Sequence, residues 1–121
     1  MKIASGVDIV EIGRVQKSIE HIGEKFLETI YTEREIQYCE GHKGNKFQHY
    51  AVRFAAKEAL YKALSRFMDK DSLNWKQFEI QNSPDGRPVV NIENEKIISI
   101  DLTMSHCKEY AVAQVVVLYN E

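Results

Sequence analysis

The stretch Val52-Arg53-Phe54-Ala55-Ala56-Lys57-Glu58-Ala59-Leu60-Tyr61-Lys62-Ala63-Leu64 constrains this chain more than any other. It is rich in Ala, Leu, Lys and Glu, which favour a helix. Asn45 is placed to cap the first turn. Gln48, three residues on, can reach back to complete a capping box. These signals predict one long helix from Lys46 to Arg66. Phe47, Ala51, Phe54, Ala55, Glu58 and Lys62 recur in steps of three and four and form one stripe along it. The stripe begins apolar and ends in a carboxylate and an ammonium one turn apart. Lys43, Lys46, Arg53 and Lys57 lie around it, so Glu58 is the only acid among the basic residues of this stretch.

Two readings fit that pattern. Glu58 followed by Lys62 is the favoured order of an ordinary surface ion pair on a helix. A lone carboxylate in a basic helix also suits a hard cation facing phosphate oxygens, with basic side chains holding the phosphate charge. The second reading needs another carboxylate from elsewhere in the chain.

One candidate lies near the N-terminus. Ile3, Val7, Ile9 and Val10 are β-formers and predict a strand from Lys2 to Val10. Alternation puts Ala4, Gly6, Asp8 and Val10 on one face. Gly6 lets another backbone or a ligand approach closely. Asp8 would be costly if buried there without a partner. It either caps the following helix or belongs to a site.

The rest of the pattern is α+β. Ile12, Val15 and Ile19 predict a helix from Glu11 to His21. Phe26, Leu27 and Ile30 mark a short second piece. Thr32 with Glu35 is a capping box that opens a third short helix, Glu33 to Glu40, ended by Gly41. Beyond the long helix, Trp75, Phe78 and Ile80 suggest a strand, and Ser83-Pro84-Asp85-Gly86 a turn. Val89, Val90 and Ile92 form the returning strand. Ile97 to Met104 make a third, Ser105 to Glu109 a turn, and Tyr110 to Tyr119 a fourth. The expected architecture is therefore an N-terminal strand, short helices and one long helix packed on a mostly antiparallel sheet. No Gly-rich phosphate loop is present.

At 121 residues the chain suits a single domain over 1–121. Its net charge is -2, which gives no nucleic-acid signature. No apolar run approaches the roughly 20 residues that span a membrane. Asp8 and Glu11 interrupt any signal-peptide pattern. Cys39 and Cys107 lie outside zinc or CxxC spacings and read as free thiols of a reducing cytosol.

Four motifs in order carry a resemblance. Gly6-Val7-Asp8-Ile9-Val10-Glu11-Ile12, then Arg53 to Leu64, then Gly86-Arg87-Pro88, then Ser105-His106 with Tyr110-Ala111 resemble the bacterial holo-acyl-carrier-protein synthases of the 4'-phosphopantetheinyl transferase superfamily. The resemblance spans the chain. It implies transfer of the 4'-phosphopantetheine arm of coenzyme A to a serine of apo-acyl carrier protein, with release of 3',5'-ADP, in support of fatty acid biosynthesis. It implies Mg²⁺ held by Asp8 and Glu58, with Lys62 beside the pyrophosphate and Glu58, or its rival Asp8, as the base. Arg53 and His106 match positions near the nucleotide phosphates, with Ser105 and, more weakly, Lys57 also at the nucleotide. Without the family, His106 reads equally well as a turn histidine bonded to backbone, and Ser105 is more often just a turn residue. Arg14 matches the family's carrier-docking helix, with Lys17 and Lys25 adding charge. Ser65-Arg66-Phe67 departs from the family, where glycines follow the long helix. The family implies cytoplasmic homotrimers with active sites at subunit boundaries. A non-catalytic basic adaptor and a metal-dependent phosphohydrolase are the rival readings.

Overall fold

The computed structural model describes residues 1–121. Strand β1 (Lys2–Glu11) leads into helices α1 (Ile12–Ile22), α2 (Glu24–Ile30), α3 (Glu33–Glu40) and the long α4 (Lys46–Leu64). Strands β2 (Glu79–Asn82), β3 (Pro88–Asn91), β4 (Ile97–His106) and β5 (Tyr110–Tyr119) follow. The expected α+β architecture is borne out, but the strands form two sheets. One is three-stranded in the order β1-β5-β4, antiparallel throughout, and the other is the β2-β3 ribbon.

Helix α4 is the hub. Ala55, Ala56, Ala59 and Ala63 are wholly buried, and such small side chains let the sheet come close. They share a core with Ala4 of β1, Leu102 of β4, Val115 and Val117 of β5, and Phe78 and Ile80. The earlier half of α4, through Tyr50, Ala51 and Val52, packs with Ile12, Val15, Ile30, Tyr31 and Cys39 in a second core. Between Tyr50 and Leu60 only Phe54 and Glu58 are not buried. The helix is therefore enclosed on most sides rather than presenting a solvated basic face.

Several local expectations are corrected. Asn45 makes no side-chain cap bond, so the Asn45–Gln48 capping box does not form, and α4 ends at Leu64 rather than Arg66. The segment around Trp75 is no strand. Asn74 accepts from Lys76 N–H and Gln77 N–H at 3.1 Å each, while the Gln77 side chain accepts from Asn74 N–H at 3.2 Å. This local capping box winds Trp75–Gln77 into a 3-10 turn, and β2 starts only at Glu79. The Thr32–Glu35 capping box on α3 forms as expected. Strand β4 runs on through His106, so Ser105 and His106 are strand residues on opposite faces, not turn residues. Both cysteines are free, Cys39 buried and Cys107 exposed. Burial pushes the Cys39 thiol up to about 12.

Candidate active site

Gly6 sets the site's geometry. A Cβ at Gly6 would run into the Ala59 carbonyl oxygen and lie 2.9 Å from its carbon. With no side chain there, β1 lies directly on α4. The close backbone approach expected of Gly6 is thus to the helix. Two residues further on the same inward face, Asp8 comes level with the last turns of α4.

Lys62 Nζ donates to Asp8 Oδ1 at 3.1 Å and to the Val7 carbonyl at 2.9 Å. The Asp8 side chain is 18% exposed and that of Lys62 50%. Lys62 therefore pairs across to the strand, not with Glu58 one turn before it. The ordinary Glu58–Lys62 surface pair is not formed. Nor does Asp8 cap α1, which begins after Glu11 with no side-chain cap bond. Glu58 is half-buried on the same side. Burial raises its proton affinity first, the Asp8 charge raises it further, and the Lys62 ammonium opposes both. Two carboxylates and one ammonium, Asp8 from β1 and Glu58 and Lys62 from a helix 50 or more residues further on, thus share one small region.

That donor set fits a hard divalent cation. Asp8 and Glu58 offer anionic oxygens, and their mutual repulsion is what such an ion relieves. No third His, Cys, Asp or Glu joins them. Further ligands would come from water and substrate oxygens. Beside Glu58 opens a hollow of about 170 Å³ walled by Tyr61, Leu73, Asn74, Trp75 and Phe78.

The other expected residues are placed unequally. His106, paired with Ala111 of β5, lies on the helix side near His49, whose proton affinity falls to about 4. Burial is the first cause there, followed by the charges of His42, Arg53 and His106. His49 and its neighbour His42, with ring centroids 4.3 Å apart, were not singled out by sequence. The one signal was that His49 precedes Arg53 by a helical turn. Arg53 is 1% exposed. Its Nη2 donates to Asn82 Oδ1 at 2.7 Å and its guanidinium lies 4.3 Å from the centre of the Tyr38 ring, while Nε has no partner. Ser105 is exposed on the outer face of the sheet, away from this cluster.

Lys57 is corrected outright. Its side chain is fully buried and its ammonium is 2.8 Å from Glu35 Oε1. It also donates to the Trp75 carbonyl at 2.8 Å and the Phe78 carbonyl at 3.0 Å. All three of its N–H groups are used inside the protein, so none is left for a phosphate. Arg14, Lys17 and Lys25 are exposed. Arg14 borders a groove of about 480 Å³ that also touches Ile9, Val15, Phe26, Phe54 and Tyr110.

The model of the 4'-phosphopantetheinyl transferase superfamily matches residues 4–115. The chain belongs to that superfamily. A holo-[acyl-carrier-protein] synthase of Thermodesulfovibrio yellowstonii is 46% identical over 114 residues, covering 93% of this chain and 95% of the relative. One from Ruminiclostridium cellulolyticum is 38% identical, covering 97% and 92%. Among solved structures, the Bacillus anthracis holo-(acyl-carrier-protein) synthase in complex with CoA (3',5'-ADP) superposes with a TM-score of 0.81 at 37% identity, covering 94% of each chain. The Helicobacter pylori enzyme in complex with coenzyme A gives 0.82 at 34%, covering 94% of this chain and 99% of that one. The resemblance drawn from the four phosphopantetheinyl transferase motifs is borne out.

Proposed function

We propose that residues 1–121 form one transferase domain that moves 4'-phosphopantetheine from coenzyme A to a serine of apo-acyl carrier protein. The observation that carries this reading is the convergence of Asp8, Lys62 and Glu58. The relatives' names and the coenzyme A complexes of similar structures support the choice of donor and acceptor. The serine Oγ of the carrier forms a bond to the phosphorus that bears the pantetheine arm. The bond from that phosphorus to the bridging oxygen breaks, and 3',5'-ADP leaves with the oxygen. The serine proton passes to Glu58 through a water, with Asp8 as the alternative acceptor. In the metal-free protein, burial first and the Asp8 charge second raise the proton affinity of Glu58, opposed by the Lys62 ammonium. The Lys62 ammonium, held by Asp8 and the Val7 carbonyl, faces the charge that builds on the pyrophosphate. Mg²⁺, held by Asp8 and Glu58, would supply Lewis-acid stabilisation of the same charge.

His106, with the Arg53 charge behind it, is the end of the site that receives the nucleotide's phosphates. Ser105, on the outer face, reaches a nucleotide only at a boundary between subunits. That placement agrees with a homotrimer. So does the sheet's outer face, where Ile3 is 69% exposed, Val7 57% and Ile9 64%. Exposed apolar side chains gathered on one sheet face mark an interface. Arg14, Lys17 and Lys25 form the docking surface for an acidic carrier. We place the protein in the cytoplasm, in service of fatty acid biosynthesis. No helix is long and apolar enough to cross a membrane.

The test is to incubate the chain with coenzyme A, apo-acyl carrier protein and Mg²⁺ and weigh the carrier by mass spectrometry. The carrier gains one phosphopantetheine, and chelation of the metal abolishes the gain. No gain with any divalent metal would reject the reading.

The electrostatics give a second expected result. In metal-free protein Glu58 titrates above its ordinary value, because burial and then the Asp8 charge disfavour its ionised form. As a base it is lost when pH falls through that raised value. The stability linkage runs the other way. Because the folded state disfavours ionised Glu58, its contribution is present at low pH and fades as pH rises through its folded value. Carboxyl NMR titration should show Glu58 moving down on adding Mg²⁺ and, separately, in Asp8→Asn. An unmoved titration in both cases would mean that the two carboxylates do not share a site.

A further inference from the structure

We propose that the buried Glu35–Lys57 pair positions the wall of the hollow into which Glu58 opens, and so is a positioning device for the transfer reaction. The inference rests on the transferase reading above for its kinetic consequence, but not for its structural one.

The pair is fully satisfied as well as fully buried. Glu35 Oε1 accepts from Thr32 N–H at 2.8 Å and from Lys57 at 2.8 Å, and Oε2 accepts from Ile80 N–H at 2.8 Å. Lys57 spends its other two donors on the Trp75 and Phe78 carbonyls. One node thus ties the start of α3, the middle of α4, the 3-10 turn and the start of β2. A buried ion pair is a poor device for stability alone, since an apolar pair of similar volume often does as well. A network with every member bonded does fix one geometry.

What it fixes is next to the chemistry. Trp75 and Phe78, whose carbonyls Lys57 holds, are two walls of the hollow beside Glu58. Lys57 and Glu58 are neighbours on α4 and point to different sides of it. Lys57 therefore holds the wall segment by its backbone while Glu58 faces the space that segment encloses. The Trp75 ring is aligned as well, stacked on Phe54 at 5.3 Å, one helical turn before Glu58. A small displacement of such a wall can cost a large factor in rate.

The test uses the full chain with Glu35→Leu/Lys57→Met, which replaces the pair by an apolar one, and Glu35→Gln, which keeps the side-chain shape but loses the charge. Two quantities are measured well below each variant's melting temperature. One is kcat/KM for coenzyme A in carrier loading. The other is the emission and iodide quenching of Trp75, the chain's single tryptophan. We expect a folded double variant whose kcat/KM falls roughly 10- to 100-fold, with red-shifted and more quenchable emission. If the double variant does not fold, the same readings on Glu35→Gln decide. A folded variant with unchanged kcat/KM or unchanged Trp75 emission would overturn the proposal. Failure of the wild-type protein to load any carrier would reject the transferase reading alone, because the Trp75 measurement needs no substrate.

Discussion

Glu58→Gln is expected to lower the carrier-loading rate by about two to four decades without unfolding the protein. The substitution keeps the side chain's shape and removes its charge and basicity. Glu58 is half-buried and not part of either core, and it makes no ion pair whose loss would leave a charge stranded. Its ionised form is disfavoured in the fold, so neutralising it should leave the melting temperature unchanged or slightly raised. Asp8→Asn is expected to lower the rate comparably for a second reason. It weakens the bond that orients Lys62 as well as removing one of two anionic oxygens. Initial rates at saturating coenzyme A and carrier, with circular dichroism as the check on folding, measure both. Near-normal rates in folded Glu58→Gln would remove Glu58 from its role, whereas the adaptor reading predicts no loading by either protein and normal partner binding by the variant.

Gly6→Ala is expected to be the most damaging single methyl in the chain. The added carbon would meet the Ala59 carbonyl oxygen, its carbon at 2.9 Å and its Cα at 3.3 Å, all backbone atoms that no rotamer change can move. The strand cannot retreat freely, because Gly6 is paired with Val115 of the central strand β5. Overpacking of this kind costs about 3 kcal/mol or more. For a chain of this size that lowers the melting temperature by roughly 10 °C. Any relief that separates β1 from α4 also carries Asp8 away from Glu58. Loading by the folded fraction should therefore fall along with stability. Calorimetry showing a change of less than about 1 kcal/mol would mean that β1 does not lie on α4 as described.

The contrast between these residues and the misread ones shows what the sequence could reveal. The inward face Ala4, Gly6, Asp8 and Val10 was legible because strand alternation is a local rule. The Thr32–Glu35 box was legible for the same reason. Lys57 and Arg53 were not, because a Lys or Arg on a helix ordinarily faces water. Their burial depends on Glu35 and Asn82, which only the folded chain brings to them. The 3-10 turn at Trp75 was hidden by apolar residues that look like strand, while Asn74 and Gln77 close the backbone locally. The pairing of Lys62 with Asp8 rather than Glu58 rests on how closely β1 approaches α4. Gly6 hinted at a close approach without naming its partner.

The central claim is that Asp8 and Glu58 hold one divalent ion beside Lys62. The most direct measurement is an anomalous difference map from crystals grown with Mn²⁺ and coenzyme A. A single strong peak per chain is expected between the two carboxyl groups, lost in Asp8→Asn. A well-ordered coenzyme A with no peak at those carboxylates, or a peak held by other residues, would contradict it.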